Sequence, residues 1–214
     1  MSDIADKYDR LAEGFAENSY ANLEFYMHRR FILAVTWGTQ LGVGDSVLEL
    51  GCGDGYLACL FVRNGFWYCG MDISSKMIET ATLRFQREGL KGKFEVADVS
   101  QLAPSESYDA VIAYMRTFFA YVCEPLAVLQ RLRPFVRKKI IVDLNPRRDM
   151  ALREGMAILK AAGFRRVTWR PFFVPQEMPL QVWFLKILVA CEGILLVRSI
   201  PLRWKFHCLL KGEP

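Results

Sequence analysis

Histidine is scarce in this chain: His28 and His207 are the only two in 214 residues. Few imidazoles are therefore available as bases or metal ligands. The six cysteines (Cys52, Cys59, Cys69, Cys123, Cys191, Cys208) include no C-x-x-C pair. That spacing argues against a structural zinc or a redox couple and favours free thiols in apolar surroundings. No cationic-apolar segment opens the sequence, so a cytoplasmic location is expected. Long apolar runs are also few. The one that stands out, Gln181 to Val197, is broken by Lys186, Glu192 and Gly193. As a helix it would reach about 26 Å, short for a bilayer core. The net charge is only +5, and its basic residues are scattered. A basic face with interleaved aromatics is approached only in the tail from Arg198 to Lys211, so nucleic acid is not an expected partner. With 52% apolar and 24% charged residues, disorder is not expected, and the length suits one domain with a full core.

What the chain does carry is Val47-Leu48-Glu49-Leu50-Gly51-Cys52-Gly53-Asp54-Gly55-Tyr56. β-Favouring residues run into a turn with glycine at every second position, and an apolar helical segment follows. Such a unit brings bare backbone to the mouth of a sheet, where a ligand can approach it closely. Asp72 lies 21 residues beyond Gly51, after a second strand-like run, Trp67 to Met71. An ionised carboxylate there can accept both hydroxyl protons of a ribose. A nucleoside-bearing cofactor in a doubly wound α/β domain is the first reading. A dinucleotide is disfavoured, because Glu49 and Asp54 flank the turn and would repel a pyrophosphate. The two acids suit a ligand without phosphate that carries an ammonium or sulfonium.

At these residues the sequence resembles the class I S-adenosylmethionine-dependent methyltransferases, whose first motif is an acid followed by G-x-G-x-G. The resemblance implies S-adenosylmethionine as cofactor. It implies cofactor contacts from Glu49, Gly51, Cys52, Gly53, Asp54 and Gly55. Asp72 with Ile73 resembles the ribose-binding position, and Met77 would lie near the adenine. Phe94 to Val99 is similar to the third strand of these enzymes, with Asp98 taking a hydrogen bond from the adenine amino group and Val99 beside it. Tyr108 to Ala113 is similar to the fourth strand, which puts Tyr114, Met115 and Arg116 at its open end beside the cofactor sulfur. Arg30 resembles an arginine that binds the methionine carboxylate in quinone-type O-methyltransferases.

The resemblance also implies a seven-stranded Rossmann-like sheet with its last strand antiparallel. Strands are expected near 46–50, 67–71, 92–97, 108–113, 138–143, 165–174 and 204–210, and helices near 55–64, 75–88, 124–133 and 149–162. One methyltransferase domain would span 1–214: an N-terminal helical lid (1–40), a cofactor-binding core (41–174), an apolar helical insertion (175–202) and the last strand (203–214). A strand parallel to the others ends on the cofactor side, so the insertion would project over the mouth of the site. A buried helix, a homodimer interface, an apolar lid and a peripheral membrane contact are its alternatives.

Methyl transfer is an in-line displacement at a carbon activated by a positive sulfur, so the protein must mainly align the reactants and exclude water. A base is needed only if the acceptor must lose a proton. His28, in the expected lid, is the candidate base, with Arg116 and Tyr114 as further catalytic candidates at the end of the fourth strand. Asp143 is a candidate base, acceptor contact or helix cap. The Asn/Asp-Pro-Pro-aromatic motif of amino-group methyltransferases is absent after strand four, where Tyr114-Met115-Arg116-Thr117 stands instead. Residues 114–122 hold no acid, so no catalytic metal is expected. The resulting expectation is transfer of a methyl group to a small, apolar or lipid-like acceptor. A protein or RNA methyltransferase and a non-catalytic cofactor-binding module are the alternatives.

Overall fold

The computed structural model of the chain describes residues 2–102, 104–114, 118–193 and 207–214. Its first helices are α1 (Ser2–Leu11), α2 (Phe15–Ser19) and α3 (Leu23–Thr36). Strands and helices then alternate: β1 (Ser46–Leu50), α4 (Tyr56–Arg63), β2 (Trp67–Asp72), α5 (Ser75–Glu88), β3 (Lys93–Val96) and β4 (Tyr108–Ala113). Next come α6 (Phe118–Tyr121), α7 (Pro125–Leu132), β5 (Val136–Leu144), α8 (Leu152–Ala161), β6 (Arg165–Phe172), α9 (Val182–Glu192) and β7 (His207–Glu213).

The sheet has seven strands in the order β3-β2-β1-β4-β5-β7-β6. All pairings are parallel except those of β7, which runs antiparallel to β5 and β6. The chain winds outward from β1 to β3, then returns to β4 on the other side of β1. Crossovers leaving in opposite directions open a crevice at the carboxyl ends of β1 and β4, which is where such sheets take ligands.

The central strands are buried on both faces, as a helix-covered parallel sheet requires. Side chains alternate across the sheet with period two, and this divides the core. Leu48, Val111, Ile140, Val142, Cys208 and Leu210 face one side, with Val128 and Leu129 of α7 and Leu159 of α8. Val47, Ala110, Ile112, Ile141 and Leu209 face the other, with Tyr26 and Leu33 of α3 and Phe61 of α4.

These elements agree with the sequence reading of the fold, with two differences in detail. α6 was not expected, since Phe118 to Tyr121 reads as an undivided aromatic run. β7 starts at His207, and the part of the expected last strand before it lies outside the described residues. So does 194–206 of the insertion. Within α9 only Leu185 and Glu192 are buried, while Val182, Trp183, Phe184 and Ile187 are exposed. Among the described residues no helix is long and apolar enough to cross a membrane.

Candidate active site

The turn between β1 and α4 forms the floor of the crevice. Gly51, Gly53 and Gly55 hold φ of 71°, 55° and 75°, a region that penalises a side chain. The Gly51 and Cys52 amides both donate to the Met71 carbonyl, at 2.7 and 3.0 Å, which ties the turn to β2. Asp72 closes β2, and its Oδ2 accepts the Gly53 amide at 2.9 Å while Oδ1 accepts the Ser74 amide at 3.0 Å. Burial raises its pKa in spite of these bonds.

Gly51, Gly53, Asp72, Ile73, Met77, Asp98, Val99 and Tyr114 line one cavity of about 260 Å³. Asp98 follows β3, and its Oδ1 accepts the Ser100 amide at 2.8 Å. Its Oδ2 is buried and has no partner among the described residues. A buried acceptor in that state has room for a donor from a ligand or a water.

A side chamber of about 50 Å³ adjoins it, lined by Arg30, Glu49, Gly51, Cys52, Gly53, Asp54 and Tyr114 among others. The Arg30 guanidinium lies 4.6 Å from the Tyr114 ring centre, 4.8 Å from that of Tyr26 and 5.3 Å from that of Phe172. It donates to the Tyr114 carbonyl at 3.1 Å and the Tyr26 hydroxyl at 2.8 Å, and lies 3.4 Å from Asp143 Oδ2. Arg30 Nε is buried without a partner among the described residues. The Tyr68 hydroxyl donates to Glu49 Oε2 at 2.5 Å. Burial outweighs that bond and the nearby Arg30, and the Glu49 carboxyl is pushed up to about 8. A cation and a carboxyl facing one small chamber are complementary to an amino-acid zwitterion.

The opposite half of the cavity is helical. Ile4, Lys7, Tyr8 and Leu11 form one face of α1, joined by Phe15, Ser19, Tyr20, Tyr121, Val122 and Gln176. Polar contacts fasten this half to the sheet. Asp9 Oδ1 accepts the Ser74 hydroxyl at 2.5 Å and the Lys76 amide at 3.1 Å, at the start of α5. Those bonds hold the Asp9 carboxyl below its usual range. Asp54 Oδ2 accepts the Ala16 amide at 3.0 Å and Arg84 at 2.9 Å. Asn22 Nδ2 donates to the Pro175 and Met178 carbonyls while its Oδ1 accepts the Leu180 amide. Arg29 pairs with the buried Glu192 of α9 at 2.6 Å, and Glu192 Oε1 also accepts the Phe173 amide.

Most of the residues expected from the sequence are thus brought together, in the cavity or in its side chamber. Gly55 lines neither. A Cβ there would stand 2.9 Å from Ala81 Cβ, so its task is the close packing of the turn on α5. Asp54 reaches the chamber wall, but its carboxylate is engaged by Ala16 and Arg84, which makes it a fastening of the helical half. His28 is exposed on α3 and lines neither space, because the inward face of that helix is taken by Tyr26, Met27 and Arg30. Among the described residues this geometry does not bring His28 to the site. Met115 and Arg116 lie outside the described residues. Sequence reasoning missed Asp9, Ser100 and Gln176. Tyr8, Leu11 and Phe15 stand at helical spacing, which does not say what they face. Phe118 and Phe119 are core, while Tyr121 lines the cavity.

Residues 47–139 match a family described as a methyltransferase domain. The ubiquinone biosynthesis O-methyltransferase of Rhodopseudomonas palustris (strain TIE-1) is 27% identical over 168 residues, 76% of this chain and 66% of that protein. The protein of the same name from Rickettsia prowazekii is 35% identical over 66 residues, 31% of this chain and 26% of its own length. The matched stretch therefore spans less than two thirds of either relative. Among solved structures, the cyclase SpnF superposes with a TM-score of 0.70 at 17% identity, covering 98% of this chain and 94% of that one. The magnesium protoporphyrin IX methyltransferase of Synechocystis PCC 6803, crystallised with bound S-adenosylmethionine, gives 0.58 at 22% identity, covering 80% and 70%. At such identities the structural likeness speaks for the fold alone. Residues 47–139 are thus matched as a methyltransferase domain, and the seven-stranded sheet with its antiparallel β7 has the fold of the class I S-adenosylmethionine-dependent methyltransferases.

Proposed function

We propose that this protein transfers a methyl group from S-adenosylmethionine to a small acceptor with an apolar body. The observation that carries the reading is a single cavity with strand-end acids at one side and aromatic helical residues at the other. Asp72 would accept the ribose hydroxyls, and Asp98 Oδ2, without a partner among the described residues, would accept the adenine amino group. Ile73, Met77 and Val99 would flank the base. Arg30 would hold the methionine carboxylate and Glu49 its ammonium, with Gly51, Cys52 and Gly53 giving close backbone approach. The cofactor supplies a methyl carbon already activated by a positive sulfur. The chain's own part is to bind, align and exclude water.

The wall of the cavity supports a reaction without a strong protein base. Every Asp, Glu and His of the chain falls within the described residues. Of these only Asp72 and Asp98 line the cavity, and both are assigned to the cofactor. The acceptor half offers Lys7 and the phenols of Tyr8, Tyr20 and Tyr121 instead. An acceptor whose nucleophile ionises readily, or has no proton to lose, fits such a wall. Arg116, two residues beyond Tyr114 in sequence, would then grip an anionic group of the acceptor.

The lipid-like form of the acceptor rests on α9, where Trp183 is 64% and Val182 57% exposed, with Met178 at 56% beside them. Such a face supports peripheral contact with a membrane surface that holds an apolar acceptor. The same face would also serve a homodimer. Cysteines without disulfide partners support a cytoplasmic setting.

Incubation with methyl-labelled S-adenosylmethionine and a host extract, separated into lipid, small-molecule, protein and RNA fractions, tests the reading. Label is expected in the lipid or small-molecule fraction and is lost in Asp72→Ala. Label in protein or RNA would replace it with macromolecular methylation. Cofactor binding without label in any fraction would favour a non-catalytic module. Arg116→Ala should abolish label while sparing cofactor binding.

A further inference from the structure

We infer that Gln176 is the residue that selects and orients the acceptor, by taking a hydrogen bond from a donor group on it through its side-chain oxygen. The inference rests on the acceptor half of the cavity proposed above. Gln176 lies beyond β6, between Pro175 and the segment leading to α9. Two bonds fix it. Its backbone carbonyl accepts the Ala21 amide at 2.7 Å, and its Nε2 donates to the Ser19 carbonyl at 3.2 Å. The second bond also determines which way round the amide sits, since only the nitrogen can donate to a carbonyl. Oε1 is therefore directed away from Ser19. It is buried and has no partner among the described residues, and Gln176 lines the cavity with Ser19, Tyr20, Tyr114 and Tyr121.

A buried amide oxygen that makes no hydrogen bond is rare in a folded protein and is the atom a ligand completes. An amide oxygen can only accept, so the group it recognises must be a donor, a hydroxyl or an N–H. It carries no charge, so it favours a neutral donor on an otherwise apolar body over a carboxylate or phosphate. The aromatic rings around it offer faces and edges to a flat ligand. A site built to hydrogen-bond such a donor rejects analogues that lack it, because the buried oxygen is then left unpaired.

The test uses the protein loaded with S-adenosylhomocysteine and two probes of nearly equal shape, 2-naphthol and 2-methoxynaphthalene. The methoxy compound has lost only the donor. The wild-type protein is expected to bind 2-naphthol about 10-fold more tightly, which corresponds to about 1.4 kcal/mol, as measured by titration calorimetry. Gln176→Leu should bring the ratio near one while S-adenosylhomocysteine affinity stays within about twofold. Gln176→Glu also loses the bond to Ser19 but keeps an acceptor, so it should retain the preference. A Leu variant that fails to fold leaves the Glu variant and the wild-type ratio to decide. Equal binding of the two probes to wild type, an unchanged ratio in Gln176→Leu, or binding of neither probe would overturn the inference. Failure of S-adenosylhomocysteine to bind the wild type would instead overturn the methyltransferase reading beneath it.

Discussion

At the strand-end half of the cavity, each group is set by its position next to a β-strand. Asp72 closes β2, Tyr114 follows β4, and Gly51 to Gly55 join β1 to α4. At the helical half, Tyr8, Phe15, Tyr20 and Gln176 are held by side-chain contacts between segments far apart in the chain, such as Asn22 with Leu180 and Arg29 with Glu192. The first half draws its precision from a sheet buried on both faces, and deforming it would cost core packing. The second is joined to it by individual hydrogen bonds and ion pairs, each with a net value of roughly 0.5–3 kcal/mol. Contacts of that size can part and re-form more readily than a packed core. The strand-end half is thus held by core packing, and the helical half is fastened to it at a few named points.

Four substitutions would break or sharpen this contrast. The largest effect is expected from Asp72→Ala, which removes the ribose acceptor and strands the Gly53 and Ser74 amides. S-adenosylhomocysteine affinity should fall about 100-fold, or ~3 kcal/mol, by calorimetry. Retained affinity would show that the strand-end half does not bind the nucleoside.

Glu192→Ala acts on the cover. It leaves Arg29 and the Phe173 amide without their acceptor, and should cost about 2 kcal/mol in urea denaturation. Faster amide exchange is expected in α3 and α9, with exchange in β1 and β2 unchanged. Equal acceleration in the strands would mean that the two halves open together.

Glu49→Gln tests the chamber through pH. Burial pushes this carboxyl up to about 8, from 4.5 in the unfolded chain. Between those values the folded protein keeps a proton that the unfolded chain has released, so stability should fall as pH rises through the window. The glutamine variant lacks that slope and should exceed wild type by about 1 kcal/mol at pH 8, while losing cofactor affinity. Parallel stability profiles from pH 5 to 8 would contradict the burial argument.

The smallest effect belongs to His28→Ala. An exposed side chain outside both spaces should change turnover by less than about twofold. A large loss, with an altered pH profile, would return this residue to the role of base.

The strand positions, the glycine turn and the acids that end the strands could be read in advance, because each follows from a local pattern, whereas the antiparallel last strand was implied by the family resemblance. Apolar periodicity marks the strands, alternate glycines mark the turn, and an acid after an apolar run marks a strand end. Val47 and Leu48 face opposite sides for no reason other than the pleat. The helical half resisted the same treatment. Ile4, Lys7, Tyr8 and Leu11 share one face of α1 at helical spacing, yet spacing cannot say whether that face meets a core or a cavity. Asp54 shows the limit at a single residue. Its place in the glycine turn suggested a ligand contact, and its carboxylate instead fastens α2 through Ala16.

Local chemistry along the chain was therefore enough to specify the strand–turn–helix unit, the acids that end the strands and the family they resemble, since φ preference and side-chain alternation act between near neighbours. Tertiary structure alone decided which polar atoms are buried without partners among the described residues, namely Asp98 Oδ2, Arg30 Nε and Gln176 Oε1 among others. Whether an atom finds a partner depends on every segment that folds against it, and no stretch of sequence contains that information.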